Sequence, residues 1–84
     1  MIPIDKRVVA ALSRAADLPP ESLARDAPLA SLGIGSLERI ECVLALEDEL
    51  KVELLDADLR TLRTVQDLID AVCQAVALAR RPGR

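Results

Sequence analysis

Three stretches of the chain repeat apolar residues at the spacing of an α-helix. The first runs from Pro3 to about Ala16, and charged residues separate its apolar positions. Those apolar positions are Val8, Val9, Leu12, Ala15 and Ala16. Pro19 and Pro20 lack the backbone amide that would continue a helix, so the segment Leu18-Pro19-Pro20 should end it. The pattern predicts a first helix over residues 3–16.

A long connection follows over residues 19–35, which contain three prolines and two glycines. Leucines are spaced along it, at Leu18, Leu23, Leu29 and Leu32. Because these side chains are apolar, the connection should fold down onto the core. Residues 21–25, which follow a proline, are compatible with a helical turn.

The second helix is predicted from Ser36 to Leu50. The apolar residues expected to share one face are Leu37, Ile40, Val43, Leu44 and Leu50. Acidic residues outnumber the single base, Arg39, by five to one, and they are Glu38, Glu41, Glu47, Asp48 and Glu49. The pattern thus predicts an anionic surface directly beside Ser36.

Two further helices are predicted after residue 55. Asp56 is a plausible cap for a short helix over residues 57–62, with Leu59 and Leu62 pointing inward. The segment Thr64-Val65-Gln66-Asp67 resembles a capping box with Asp in the place of Glu or Gln. The last helix follows, with an apolar line through Val65, Leu68, Ile69, Val72 and Val76.

These elements predict an all-α fold, a small four-helix bundle with three longer helices, one short helix and a long loop between the first two. Its folded domain should span residues 1–79, and the basic residues 80–84 should form a frayed tail. Hydrophobic residues make up 51% of the chain, but aromatic residues are absent. The core must therefore consist of Leu, Ile, Val and Ala, which suits small helices that pack closely.

The charge balance indicates which classes of partner the protein is expected to bind. The formal net charge is −3, and without the three arginines of residues 80–84 eight basic residues face 14 acidic ones, which leaves −6. An acidic body argues against nucleic acid and favours basic protein surfaces. No apolar run approaches the roughly 20 residues of a membrane span, and residues 1–5 lack the features of a secretory signal. We expect a cytoplasmic monomer.

The two cysteines, Cys42 and Cys73, both fall within apolar helical patterns. Buried free thiols are the ordinary explanation for such positions. A thiol-based redox protein is a weak alternative, because the chain has no CxxC spacing and no histidine to lower a thiol pKa.

Ser36 stands where the loop Leu32-Gly33-Ile34-Gly35 becomes the second helix. A helix N-terminus leaves backbone N–H groups unpaired and carries partial positive charge, so it suits a phosphate-linked group. The chain has no histidine that would activate the hydroxyl, so Ser36 should be modified by another enzyme and should not itself catalyse. No metal site is predicted.

The segment from Leu32 to Glu41 resembles the acyl carrier protein family, whose usual signature is Leu-Gly-x-Asp-Ser-Leu at the start of the second helix. The resemblance continues through residues 44–50 and returns at residues 64–68. It implies that Ser36, flanked by Gly35 and Leu37, carries 4′-phosphopantetheine as a phosphodiester. It also implies an acyl, aminoacyl or peptidyl cargo, held as a thioester on the terminal thiol.

The resemblance further implies a set of partners and no catalytic activity. A phosphopantetheinyl transferase would install the arm from coenzyme A, and acyl-loading and acyl-transferring enzymes would recognise the acids of the second helix. The matching acids are Glu38, Glu41, Glu47 and Asp48. Such contacts should be weak and salt-sensitive, since exposed charges steer encounters more than they add affinity. The implied pathway is of the fatty-acid, lipid or polyketide kind.

The bundle interior is a candidate shelter for an apolar cargo. The residues suggested as its walls are Leu44, Leu46, Leu59, Leu62 and Ile69. For any one of these residues ordinary core packing is the favoured explanation, and both roles can hold at once.

Gly35 departs from the family signature, which has Asp before the serine. By capping scales the loss of that side-chain acceptor costs only about a few tenths of a kcal/mol. Recognition by a transferase that uses the carboxylate should suffer more, which indicates a specialised member of the family. An aminoacyl or peptidyl carrier and an unmodified carrier-like interaction module both remain open alternatives.

Overall fold

The computed structural model describes residues 2–54 and 61–79. It contains three α-helices, α1 (Ile4–Ala16), α2 (Ser36–Leu50) and α3 (Val65–Ala79). Two single-turn 3-10 helices, Pro20–Ser22 and Ala30–Leu32, interrupt the connection between α1 and α2. No β-strand is present among the described residues, and the fold is all-helical as the sequence predicts.

α1 has the predicted bounds, but a different residue ends it. The Pro3 carbonyl accepts the first helical hydrogen bond, from the Arg7 amide at 3.1 Å. At the other end Asp17 adopts the left-handed conformation with φ of 57°, and the Leu18 amide donates to the Ser13 carbonyl at 3.1 Å. This hydrogen-bond pattern is a common helix C-cap. The chain thus leaves the helix before it reaches Pro19.

α1 is the centre of the packing, because it contacts both α2 and α3, whereas α2 and α3 approach each other at few points. Its buried residues are Val8, Ala11 and Leu12. Arg7 on α1 and Glu49 on α2 form an ion pair at 3.4 Å across the outer edge of this contact. The core is therefore organised around one helix.

α2 has the predicted bounds, but its predicted inward face is only partly right: Val43 is buried and Leu50 packs against the core, whereas the other three predicted residues are exposed. The buried residues of α2 are Cys42, Val43 and Leu46. Leu37, Ile40 and Leu44 face solvent. Apolar residues lie on two sides of this helix at helical spacing, so the pattern alone does not tell which side packs against α1. Leu44, suggested as a wall of an interior shelter, is a surface residue.

α3 carries the predicted apolar line on its buried side. All five predicted positions are buried, namely Val65, Leu68, Ile69, Val72 and Val76. The predicted burial of Cys73 is wrong, because this thiol is exposed. One residue corresponds to about 100° around a helix, so a neighbour of Val72 falls outside the buried stripe.

The connection between α1 and α2 folds onto the core as predicted. Leu23 and Leu29 are buried, and Leu18 and Leu32 pack against the core with partial exposure. The predicted helical turn appears as the shorter 3-10 helix Pro20–Ser22.

Residues 25–29 of this connection are hydrogen-bonded to residues 63–66, which lead into α3 and include its first two residues. The Leu29 amide donates to the Arg63 carbonyl at 2.8 Å, and the Gln66 amide donates to the Arg25 carbonyl at 2.8 Å. The connection thus holds the start of α3 in place.

Part of the predicted short helix over residues 57–62, with its cap Asp56 and inward Leu59, lies outside the described residues. Leu62 is described and buried, in agreement with its predicted orientation. None of the helices in the described ranges is both long enough and apolar enough to cross a lipid bilayer.

Candidate functional site

The loop that leads to Ser36 is anchored by a buried side chain between two glycines. Gly33 has a φ of 75°, a left-handed conformation that a residue with a Cβ rarely adopts. Ile34 is almost fully buried, and its amide donates to the Leu29 carbonyl at 3.0 Å. The burial of Ile34 fixes the point from which α2 starts. The alternation Leu-Gly-Ile-Gly is the sequence signal for this anchor.

Gly35 caps α2 through its backbone. Its φ of −95° and ψ of −165° are extended values open to any residue. The Gly35 amide donates to Glu38 Oε1 at 2.9 Å, and its carbonyl accepts from the Arg39 amide at 3.1 Å. Half of a capping box is therefore present, with the Glu38 carboxylate as its acceptor. The half that a side chain at position 35 would supply is absent.

Ser36 is the first residue of α2, and it is exposed. The amides of a first helical turn have no partner within the helix, so they carry partial positive charge towards this end. Gly35 beside it is also exposed and has no side chain to cover the hydroxyl. The residues present therefore fit a bulky phosphate-linked group attached through the Ser36 oxygen.

A row of exposed side chains runs along the outside of α2 from the residue after Ser36. It consists of Leu37, Glu41, Leu44 and Asp48, which we call the outer stripe. Leu37 is 66% exposed and Leu44 is 48% exposed. The spacing of four, three and four residues places these side chains in one line on a helix. Apolar and acidic groups thus alternate along the surface beside Ser36.

The four acids predicted as a partner face fall into two pairs. Glu38 accepts from the Gly35 amide, and Glu47 Oε2 accepts from the Leu54 amide at 2.7 Å. Their carboxylates thus serve the fold at the two ends of α2. Glu41 and Asp48 are exposed on the outer stripe, where Asp48 makes one long ion pair with Lys51 at 3.8 Å.

Arg39 is charged, yet its side chain lies partly inside the protein. Its Nη1 donates to the Leu62 carbonyl at 3.0 Å, and its side chain is half-buried. The Nε atom of Arg39 is withdrawn from solvent. The sequence pattern assigns Arg39 no role, although its spacing of three and four residues from Cys42 and Val43 places it on their face of α2.

The two thiols differ in reactivity. Burial raises the pKa of Cys42 to about 12, and the positive charge of Arg14 opposes this rise only in part. Cys42 is therefore protonated at neutral pH and cannot act as a nucleophile. Cys73 is free and lies on the exposed side of α3. The two thiols do not form the redox pair that remained a weak alternative.

No described cluster of three or more His, Cys, Asp or Glu side chains has the arrangement of a metal site. Grooves do occur among the described residues. The largest of those characterised has a volume of about 610 Å³ and lies between residues 51–54 and the C-terminal half of α3. It is therefore near the opposite end of α2 from Ser36.

Comparison with known proteins gives a family match and a named relative. The model of the family described as "Phosphopantetheine attachment site" matches residues 6–72. An acyl carrier protein of Thermosynechococcus vestitus is 34% identical over 73 residues, which cover 86% of this chain and 90% of that protein. The region matched by the family model contains Ser36 and all of α2.

Proposed function

Since the chain belongs to the acyl carrier protein family, which holds phosphopantetheine, we propose that Ser36 is the residue that carries this group. The observation that supports the assignment is the exposed hydroxyl at the first position of α2, reached by a loop that Ile34 anchors in the core. Of the serines in the chain, Ser36 is the one at the serine position of the segment that resembles the family signature. Gly35 and Leu37 flank the attachment point.

We further propose that the protein is a carrier and not a catalyst. When bound, phosphopantetheine supplies a flexible arm with a terminal thiol that holds a cargo as a thioester. The chain contributes the attachment oxygen, a rigid helix start and a recognition surface. It has no histidine, and the described Cys42 thiol is protonated, which supports a role without chemistry of its own.

The outer stripe is the proposed contact surface for partner enzymes. These partners comprise the phosphopantetheinyl transferase and the enzymes that load and transfer acyl groups. Glu41 and Asp48 supply the long-range attraction to a basic partner, while Leu37 and Leu44 supply short-range apolar contact. Glu38 and Glu47 remain in the proposed surface with a smaller part, because each already accepts a backbone hydrogen bond.

The pathway belongs to the proposal as well. We assign the carrier to acyl chemistry of the fatty-acid, lipid or polyketide kind, as a monomer in the cytoplasm. The name of the relative from Thermosynechococcus vestitus supports an acyl cargo over an aminoacyl or peptidyl one.

The test is the intact mass after incubation with coenzyme A and a broad-specificity transferase. We expect a gain of one phosphopantetheinyl group in the wild type and in the control Ser31→Ala, which removes another exposed serine of the same connection. Ser36→Ala should show no gain. A wild-type protein that gains no mass here, and that carries no group when isolated from its native host, would instead be an unmodified interaction module.

A further inference from the structure

Arg39 stands at the end of the core that is nearest to Ser36. It follows Ser36 by three residues, a rise of about 4.5 Å along the helix. Further along the same side of α2 come the buried residues Cys42, Val43 and Leu46. Arg39 therefore occupies the position at which this row of core side chains begins.

The guanidinium of Arg39 bridges α2 to the segment before α3. Its partner, the carbonyl of Leu62, belongs to a residue whose side chain is buried. The next residues, 63–66, which lead into α3, are hydrogen-bonded to residues 25–29 of the first connection. The connection, this segment and α2 are thus joined in one layer at the Ser36 end of the bundle. Arg39 supplies the link between the segment and α2.

This link matters because the backbones of α2 and α3 approach each other closely at few points. A cargo tethered to Ser36 that entered the core between α2 and Leu62 would have to pass Arg39, whose hydrogen bond spans this gap. A guanidinium stays charged at every relevant pH, and a charged group surrounded by hydrocarbon is strongly disfavoured. An alkyl chain in this passage would also leave the Leu62 carbonyl without its donor.

We propose that Arg39 closes the Ser36 end of the core to long alkyl chains, so that this carrier holds short or polar acyl groups outside its core. Arg39 then determines which acyl chains the core admits, and it does so through its hydrogen bond to the Leu62 carbonyl. The inference rests on the proposed attachment of phosphopantetheine at Ser36. It differs from that proposal because it concerns which cargo the domain shelters.

The test compares the chemical exposure of a short and a long thioester. Acetyl and dodecanoyl forms are made from the corresponding coenzyme A esters with a broad-specificity transferase. Hydroxylamine then cleaves each thioester to an acyl hydroxamate and the free thiol, and intact mass follows the rate. In the wild type we expect equal rates for the two forms. Arg39→Met keeps an apolar stem and removes the charge, so its dodecanoyl form should be cleaved about tenfold more slowly, because no charge-assisted hydrogen bond then opposes burial of the chain.

Two variants serve as controls. Arg63→Met makes the same change at the exposed residue next to Leu62, and it should behave as the wild type. Arg39→Lys keeps the positive charge and a donor, so it should also leave the dodecanoyl form exposed. The acetyl form of every variant should be cleaved at the wild-type rate, and a merely structural role would not produce this dependence on chain length.

The wild type alone can overturn the inference, whether or not Arg39→Met folds. A wild-type dodecanoyl thioester that is cleaved much more slowly than the acetyl one means that the core is open to long chains. An unchanged ratio of the two rates in folded Arg39→Met also contradicts the role of Arg39. If neither the wild type nor any variant gains the mass of the acyl-phosphopantetheine group, the proposed attachment at Ser36 is itself contradicted.

Discussion

At the scale of the single residue, Gly35 is the residue that the proposed modifying enzyme would meet directly before Ser36. The family signature has a carboxylate at this position, whereas here the Glu38 carboxylate lies nearby and is held by the Gly35 amide. A Cβ built on Gly35 would lie 3.4 Å from Glu38 Oε1, an ordinary contact. Its φ is also compatible with any residue. Position 35 therefore tolerates Asp without a change of backbone.

We predict that Gly35→Asp speeds modification of Ser36 by a generic transferase. The added carboxylate restores the charge of the family signature, and it caps α2 with a stability change of only about a few tenths of a kcal/mol. The initial rate of mass gain measures the effect. Gly35→Asn is the matched control, because it adds a cap of the same shape without charge. Equal rates for the wild type and the Gly35→Asp variant would show that the missing carboxylate does not slow modification of Ser36.

The contrast between Cys42 and Cys73 gives a second prediction at this scale. One equivalent of a thiol reagent should label the native protein at neutral pH, and two equivalents should label it after denaturation. Cys73→Ser should abolish native labelling, whereas Cys42→Ser should leave it intact. Rapid labelling of both thiols in the folded protein would contradict the burial of Cys42.

The Cys42 thiol also makes the free energy of unfolding depend on pH in the alkaline range. Its pKa is raised in the folded state, from an ordinary value of 9.0 to about 12. The unfolded thiol loses its proton first as the pH rises, so this contribution to stability is present below pH 9 and is lost above it. Urea unfolding at a series of pH values measures the loss. Cys42→Ala should remove this part of the pH dependence.

At the scale of the element, the start of α3 is the best-specified helix end in the described part of the chain. The Asp67 amide donates to Thr64 Oγ1 at 3.1 Å, and Asp67 Oδ2 accepts from the amides of Arg63 and Thr64 at 3.0 and 3.2 Å. The predicted capping box is confirmed, with Asp67 in the role usually taken by Glu or Gln. This cap matters for the whole domain, because the segment that it orders also bonds to Arg39 and to residues 25–29.

We predict that Thr64→Ala lowers the free energy of unfolding by about 1 kcal/mol, the usual cost of a lost N-cap. Asp67 gives the cap a pH dependence. Hydrogen bonds from the Arg63 amide and then the Thr64 amide lower the pKa of this carboxyl below its ordinary value of 3.8. The contribution of the ionised Asp67 carboxylate to stability is therefore present at neutral pH and is lost as the pH falls below about 4.

Urea unfolding at pH 7 and at acid pH checks the prediction for this cap. Asp67→Asn should flatten part of the acid dependence. Asp70→Asn is the control, since Asp70 accepts from the Gln66 side chain at 2.8 Å and not from the backbone. Equal effects of the two substitutions would mean that the cap contributes nothing specific.

At the scale of the whole molecule, charge and apolar surface meet on one helix. The chain has a formal net charge of −3, and exposed acids occur on several elements. On α2 they alternate with exposed leucines in the outer stripe, directly beside the proposed attachment site. Net charge draws a basic partner towards the molecule, and the placement of the stripe orients it.

We predict that Glu41→Gln combined with Asp48→Asn slows association with a basic transferase roughly three- to tenfold at low salt and reduces the salt dependence of the rate. The matched control is Glu21→Gln combined with Asp26→Asn, which changes net charge equally at exposed sites off α2. Stopped-flow association rates over a range of ionic strength measure both pairs. Equal slowing would show that only net charge matters.

The helices were predictable because their signals are local. Periodicity sets the bounds of α1, α2 and α3, and a capping motif of four residues sets the start of α3. Ser36 was also predictable as a candidate site, since its neighbours along the chain carry the family signature. The hydrogen bond from the Gly35 amide to Glu38 was predictable for the same reason, because Glu38 is the third residue of the helix, where a carboxylate can accept from the capping residue.

What the tertiary structure decided is which surfaces the helices bury. α2 has two apolar sides of helical period, and its tertiary packing, which includes its contact with α1, selects the side of Cys42, Val43 and Leu46. The exposure of Cys73 has the same origin. The Arg39–Leu62 bond joins residues 23 positions apart, and no periodic pattern encodes such a pairing. The sequence by itself thus determined where helices form and which serine is the candidate for the arm, because both depend on near neighbours. Only the packing of distant segments decided which side of α2 faces outward and which carbonyl the Arg39 side chain reaches.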